Sequence, residues 1–174
     1  GRTLPRLDAI ASFLGTKGPL IAENGGVARL TPDGTLVELG YSRQPAIGAV
    51  ARLKSVFPGA IVELEDNRDR LVDVTISCDR VTVEELKKHV RGIQFLDSGY
   101  MIHLMAEGVS KGRTLASLLG KIGDGLIVPD EVLVFGDSPT DISLFRSFPN
   151  SVLIHNPRLS SEQKSVVKGF AAYQ

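Results

Sequence analysis

A chain of 174 residues can bury a real core, and it is long enough for one domain with a sizeable insertion or for two small ones. Hydrophobic residues make up 43% and charged residues 23%, ordinary globular proportions that exclude a disordered or fibrous class. The 20 Lys and Arg balance 20 Asp and Glu, and no stretch concentrates basic side chains, so a nucleic-acid partner is not expected. No apolar run reaches the length of a membrane span, and no membrane association is expected. The single cysteine, Cys78, can form neither an internal disulfide nor a zinc cluster; this fits a reducing compartment, and a cytoplasmic location is expected on that thiol alone. The chain opens on Gly1-Arg2-Thr3 without an initiator Met, so Gly1 is not expected to be the native start. Nothing in the pattern signals an oligomeric state.

In chain order, an amphipathic stretch predicts a helix over Leu4 to Leu14, and a short strand over Leu20 to Ala22 runs into Glu23-Asn24-Gly25-Gly26. Asn-Gly accepts positive φ at both residues and signals a tight hairpin turn, which by itself accounts for Asn24 and Gly25. A strand over Thr35 to Leu39 and a helix over Ala46 to Phe57 follow. Strands are then expected over Ala60 to Glu65 and Leu71 to Ser77, a helix over Val83 to Val90, and strands over Ile93 to Leu96 and Met101 to Met105. The chain finishes with a helix from Lys111 to Leu119, a strand from Glu131 to Phe135, a helix from Thr140 to Phe145, a strand from Val152 to Ile154 and a helix from Ser161 to Val167. Alternation of short β-branched runs with amphipathic helices is the pattern of an α/β fold.

The strands differ in kind. Val132 to Phe135 is a continuous apolar run, as expected of a parallel strand buried on both faces. Leu71 to Ser77 alternates instead, with Leu71, Asp73, Thr75 and Ser77 on one face and Val72, Val74 and Ile76 on the other, as expected of a sheet with one wet side. The contrast predicts an insertion over roughly 31–108 with its own half-exposed sheet, set into a parallel core formed by 1–30 and 109–174.

Three segments carry chemistry. In Glu131-Val-Leu-Val-Phe-Gly-Asp-Ser-Pro-Thr-Asp141, a strand leads through Gly136 into Asp137 and then a helix start, which aims Asp137 at the carboxyl end of the strand where open parallel sheets bind ligands. A carboxylate there can hold a hard dication such as magnesium. Ser138 as cap, Pro139 at the first helical position and Asp141 three residues after the cap also make a good helix start by themselves. A capping role explains Ser138 and Pro139 but does not need Asp137, whereas Asp141 is open to both a helix-start and a metal-supporting reading. Lys111 opens a helix whose Leu115, Leu118, Leu119 and Ile122 recur at helical spacing, and a cation in a first turn opposes the macrodipole. Beside a bound phosphate, that ammonium would neutralise charge as a phosphoryl group transfers.

Taken in order, Glu23-Asn24-Gly25-Gly26, the insertion, Lys111-Gly112 and Gly136-Asp137-Ser138-Pro139-Thr140-Asp141 resemble the haloacid-dehalogenase-type phosphatases, over nearly the whole chain. The branch it resembles carries an inserted type IIB α/β cap on a three-layer Rossmann-like core, and includes archaeal-type phosphoglycolate phosphatases and sucrose-phosphatase-like enzymes. The resemblance implies a Mg2+-dependent phosphatase that forms an aspartyl-phosphate on an Asp-x-Asp motif near the N-terminus. No such motif is present, and Asp8 lies in a helical stretch. The family's second motif, a Ser or Thr before Gly-Arg, is matched only by Gly1-Arg2, so the nucleophile is expected outside these residues, and the chain alone is expected to be inactive. By the same resemblance Lys111 is the phosphate-binding lysine, Asp137 a metal ligand, and Asp141 the acid supporting metal and lysine. Thr140 stands where the family usually has Asn.

For the substrate side, Asn24, Arg68, Arg70, His103 and Asn156 are the candidates. Arg68 or Arg70 could pair with a substrate carboxylate in bidentate fashion, although for any one surface arginine a solvated face is the better account. His103 could contact substrate or be a satisfied cap histidine, and Asn156-Pro157 also makes a simple turn. The expected substrate is a small phosphorylated acid or sugar, with a phosphosugar mutase or a non-catalytic binding domain as alternative functions.

Overall fold

A computed structural model describes residues 1–122 and 125–173. Helix α1 (Leu4–Leu14) precedes a hairpin of β1 (Leu20–Ala22) and β2 (Val27–Arg29). Helix α2 (Gln44–Val56), β3 (Ile61–Glu63), β4 (Val74–Cys78), α3 (Val83–Lys87), β5 (Ile93–Asp97) and β6 (Ile102–Ala106) follow. The chain continues through α4 (Lys111–Ile122), β7 (Leu133–Gly136), α5 (Ile142–Ser147), β8 (Asn150–Leu153) and α6 (Ser161–Lys168).

Strands β3 to β6 form an antiparallel sheet in the order β3-β4-β6-β5. One face packs on α2 and α3, with Ala46, Leu53 and Leu86 against Val74, Ile76 and Leu104. Strands β7 and β8 pair in parallel, and Val134 packs with Phe145, Phe148 and Val167. A third cluster, including Leu4, Ala22, Val27, Val72, Met105 and Val109, joins α1 and the hairpin to the start of β4 and the end of β6. Apolar burial at about 25 cal/mol per Å2 thus stabilises the contact between the hairpin and the antiparallel sheet.

Three expectations need correction. The Thr35 to Leu39 segment makes one isolated bridge, Leu36 to Arg29, with Val37 N–H donating to the Ala28 carbonyl, and no ladder; the pairing is too short to make a strand. The supposedly wet side of Leu71 to Ser77 is buried at Asp73 and Thr75, both 0% exposed. A 3-10 turn over Glu65–Asp69 covers it, and Asn67 substitutes for a neighbouring strand: its side-chain oxygen accepts from Thr75 N–H at 2.7 Å and its amide donates to Thr75 O at 2.8 Å. The run Val132 to Phe135 is buried on one face only, since Val134 is 6% exposed but Leu133 and Phe135 are 53% and 57%. Its covered face meets the α5 and α6 cluster, and the other face is about half exposed. Strand β2 was not anticipated.

Replacing Asn67 with Ala strands the buried Thr75 N–H and removes the amide bond to Thr75 O, which keeps only the Leu64 N–H. A loss of roughly 2–4 kcal/mol is expected in urea unfolding, from two or more unmade buried hydrogen bonds.

Candidate active site

The site starts with close packing. Gly112 of α4 lies against α5 so tightly that a Cβ there would collide with the Ser143 carbonyl, and this approach brings Lys111 over the start of α5. A Cβ at Gly136 would meet Asp141 and Phe145, so glycine lets the Asp141 side chain tuck under the end of β7. Gly25, at φ +106, lies against the Ser110–Lys111 backbone, and its carbonyl accepts from Thr114 Oγ1 at 2.7 Å. Two segments remote in sequence thereby hold the first turn of α4.

Asp141 is the junction. Its Oδ1 accepts from Lys111 Nζ at 2.7 Å, while Oδ2 accepts from the N–H groups of Asp137 at 3.0 Å and Ser138 at 3.2 Å and from Ser138 Oγ at 3.1 Å. Thr140 Oγ1 also accepts from Lys111 Nζ, at 3.1 Å. The helix-start and lysine-holding readings of Asp141 therefore coexist in one carboxylate. Burial opposes its ionisation, but the Lys111 charge and these hydrogen bonds outweigh burial and hold its pKa below the usual range. The ion pair also offsets the cost of a cation at a helix start.

Asp137 differs from Asp141 in surroundings. It is exposed beyond β7, and its Oδ2 accepts from Asn156 Nδ2 at 2.9 Å. Asn156 thus orients the Asp137 carboxylate. A cavity of about 260 Å3 opens beside the pair, lined also by His155 and Lys164.

Across the site lies a buried ionic cluster in which Arg70, 2% exposed, bridges Asp66 and Asp73 at 2.6 Å each. Asp73 also accepts from His103 Nδ1 at 2.8 Å, and Asn24 Nδ2 donates to it at 3.4 Å. Burial favours neutral Asp73, yet the His103 hydrogen bond and the Arg70 charge win, and its pKa falls. Burial drives the His103 pKa down, so the neutral ring donates from Nδ1 and leaves Nε2 as a buried acceptor with no partner among the described residues. The Gly1 carbonyl accepts from Arg70 Nη2 at 3.2 Å, and Gly1 lies against Asn24.

The candidates fall into two groups. Lys111, Asp141, Asp137 and Asn156 make one connected set, and Asn24, Arg70 and His103 meet at Asp73. Arg68 stands apart, 70% exposed and paired with Glu65 and Asp69. Asp8, 37% exposed, lies on α1 in an ion pair with Arg29. Asp73 and Glu23 carry no local signal of their roles: alternation puts Asp73 on a wet strand face, and Glu23 precedes a turn that Asn24-Gly25 explains by itself.

A family model for haloacid dehalogenase-like hydrolases matches residues 61–163. The chain belongs to the haloacid dehalogenase-like hydrolase family. A phosphoglycolate phosphatase of Halorubrum lacusprofundi is 35% identical over 161 residues, 90% of this hydrolase-family chain and 68% of that protein. A Thermoplasma acidophilum structure superposes with a TM-score of 0.79 at 24% identity, covering 99% of this chain and 72% of that one. A sugar phosphatase of subclass IIB gives a TM-score of 0.69 at 15% identity over 95% of this chain and 72% of its own. These structural likenesses show the haloacid dehalogenase-like fold with its α/β elements.

The depressed Asp141 pKa has a definite sign in this family member. Its stabilising contribution is present above the unfolded carboxylate value near 3.8 and is lost as pH falls through the lower folded value. Thermal unfolding of Asp141→Asn followed from neutral to acid pH is expected to lose the Asp141 part of that acid decline; a decline identical to wild type would contradict the assignment.

Proposed function

We propose that this chain provides the metal-and-phosphate side of a magnesium-dependent phosphomonoester hydrolase acting on a small phosphorylated acid or sugar. The observation that carries this reading is the Lys111 ammonium held by Asp141 and Thr140, with the other oxygen of Asp141 taking the backbone N–H of the exposed Asp137. An ammonium fixed in this way needs no reorganisation to meet negative charge that develops on a phosphoryl group.

The residues fit a hard dication in part. Asp137 offers an oxygen donor with no hydrogen-bond partner at Oδ1 among the described residues, and magnesium takes one or two carboxylates with water and substrate oxygens completing its shell. Both oxygens of Asp141 are engaged, so its role runs through Lys111 and the amide of Asp137. No group of three or more His, Cys, Asp or Glu side chains gathers among the described residues. When bound, the dication would draw charge from the phosphoryl oxygens. Asn156 holds the Asp137 carboxylate for it, Lys111 binds the phosphate, and Asp141 keeps Lys111 in place.

The nucleophile belongs, on this reading, to a segment outside these residues, because Asp8 is a helical surface acid and Asp73 is consumed by Arg70 and His103. Residues 1–30 and 109–174 form the core, and 31–108 form the cap. Arg70, His103 and Asn24 are enclosed around Asp73, so on this reading they hold the cap side in shape and do not contact substrate directly, while Arg68 contributes at most to the outer field. The name of the Halorubrum relative supports phosphoglycolate among the candidate substrates.

Two measurements test this. The chain with magnesium and a generic phosphate ester is expected to stay at background turnover, and robust hydrolysis would contradict the placement of the nucleophile. Lys111→Ala is expected to weaken inorganic phosphate binding in the presence of magnesium by roughly tenfold or more, the order of one lost charge-assisted contact; an unchanged affinity in a phosphate titration would sink the reading.

A further inference from the structure

Glu23 is 0% exposed and has no part in the chemistry above. A buried carboxylate costs several kcal/mol unless it is fully hydrogen-bonded. Its Oε1 accepts from Leu71 N–H at 2.8 Å, and its Oε2 from Val72 at 2.7 Å and Asp73 at 3.0 Å. Three consecutive amides at the entrance to β4 therefore converge on one side chain from the hairpin loop. Burial is the larger influence and raises the Glu23 pKa above the ordinary carboxylate value, while the three amides pull it back toward the charged form; the acid also sits at φ 48, a left-handed conformation uncommon for a non-glycine residue.

The neighbours of this clamp are the groups of the site. Asn24, the next residue, also has positive φ at 58 and reaches Asp73. Gly25 then touches the Ser110–Lys111 backbone and accepts from Thr114. On the other side, Asp73 is one of the three clamped amides, and its carboxylate carries His103 and Arg70. A single loop of four residues, Glu23 to Gly26, thus touches both halves. Satisfying three amides alone would not require that they be residues 71–73 or that the acceptor precede Asn24.

We propose that Glu23 is a positioning residue whose carboxylate clamp on the amides of residues 71–73 sets the register between the Lys111 end of the site and the Asp73–His103–Arg70 cluster. The functional meaning of that register rests on the phosphate-site reading proposed above. The clamp itself is a structural claim that can fail separately.

Nuclear magnetic resonance of the full chain tests it. In the unmodified chain, couplings across hydrogen bonds are expected between the amide nitrogens of Leu71, Val72 and Asp73 and the Glu23 carboxyl carbon. In Glu23→Gln, exchange protection at those amides is expected to fall by roughly tenfold or more, and the signals of the Asn24 side-chain amide, His103 Nδ1 and the Lys111 backbone amide are expected to move together. Leu86→Ala, a cavity variant in the core beneath the antiparallel sheet, is the control: it loses stability and leaves those three signals in place. Absent couplings, or Glu23→Gln moving the three signals no more than the control does, would overturn the proposal. If Glu23→Gln does not fold, the couplings in the unmodified chain decide. Should Lys111→Ala leave phosphate affinity unchanged, the phosphate reading fails while couplings and signal shifts still judge the clamp.

Discussion

One carboxylate, Asp141, organises the lysine side of this molecule. It gives one oxygen to the Lys111 ammonium and the other to the amides that follow β7, so a cation from one helix and a strand terminus from another part of the chain are held in one arrangement. The pairing resolves two local conflicts together. A lysine at a helix start is unfavourable alone, and a buried acid is unfavourable alone; each supplies what the other lacks. Close packing at Gly112 and Gly136 makes the pairing possible, because a side chain at either position would push the helices or the strand end apart.

On the opposite side the same logic is carried by Asp73, with Arg70 and His103 as partners and the hairpin loop as the strut. The ionic groups there are almost wholly enclosed. Removing one partner from such a cluster leaves an uncompensated buried charge and is costly, whereas the intact cluster contributes modestly to net stability. Its arrangement is better explained by geometry than by stability: it fixes Asn24, Arg70 and His103 around Asp73, beside the loop whose Gly25 touches the Lys111 backbone.

The parts legible in the sequence were those set by local rules. Helix starts came from amphipathic spacing, and α1 from Leu4 to Leu14 matches the expected span. The turn after β1 followed from Asn24-Gly25, though not the returning strand β2, and Lys111 stands out because it opposes the macrodipole. Burial was not legible where it depends on distant segments. Alternation marked Asp73 and Thr75 as a wet face, but a turn from 65–69 and the side chains of Asn67 and Glu23 cover them. An apolar run marked β7 as doubly buried, while only one of its faces is covered. Similarly, Arg70 read like Arg68, a surface arginine, until the fold set it between two acids. Family membership agrees with the motif order along the chain and with the IIB-type structural likeness.

The central claim is that the Asp137 carboxylate faces a cation site next to the ammonium of Lys111. Paramagnetic broadening by Mn2+, a magnesium substitute, measures it directly in the labelled chain. Broadening is expected to centre on Asp137 and Asn156, to extend to Lys111 and Thr140, and to be relieved by excess magnesium. Broadening centred elsewhere, or absent from Asp137 while Lys111 and Asp141 remain paired, would contradict it.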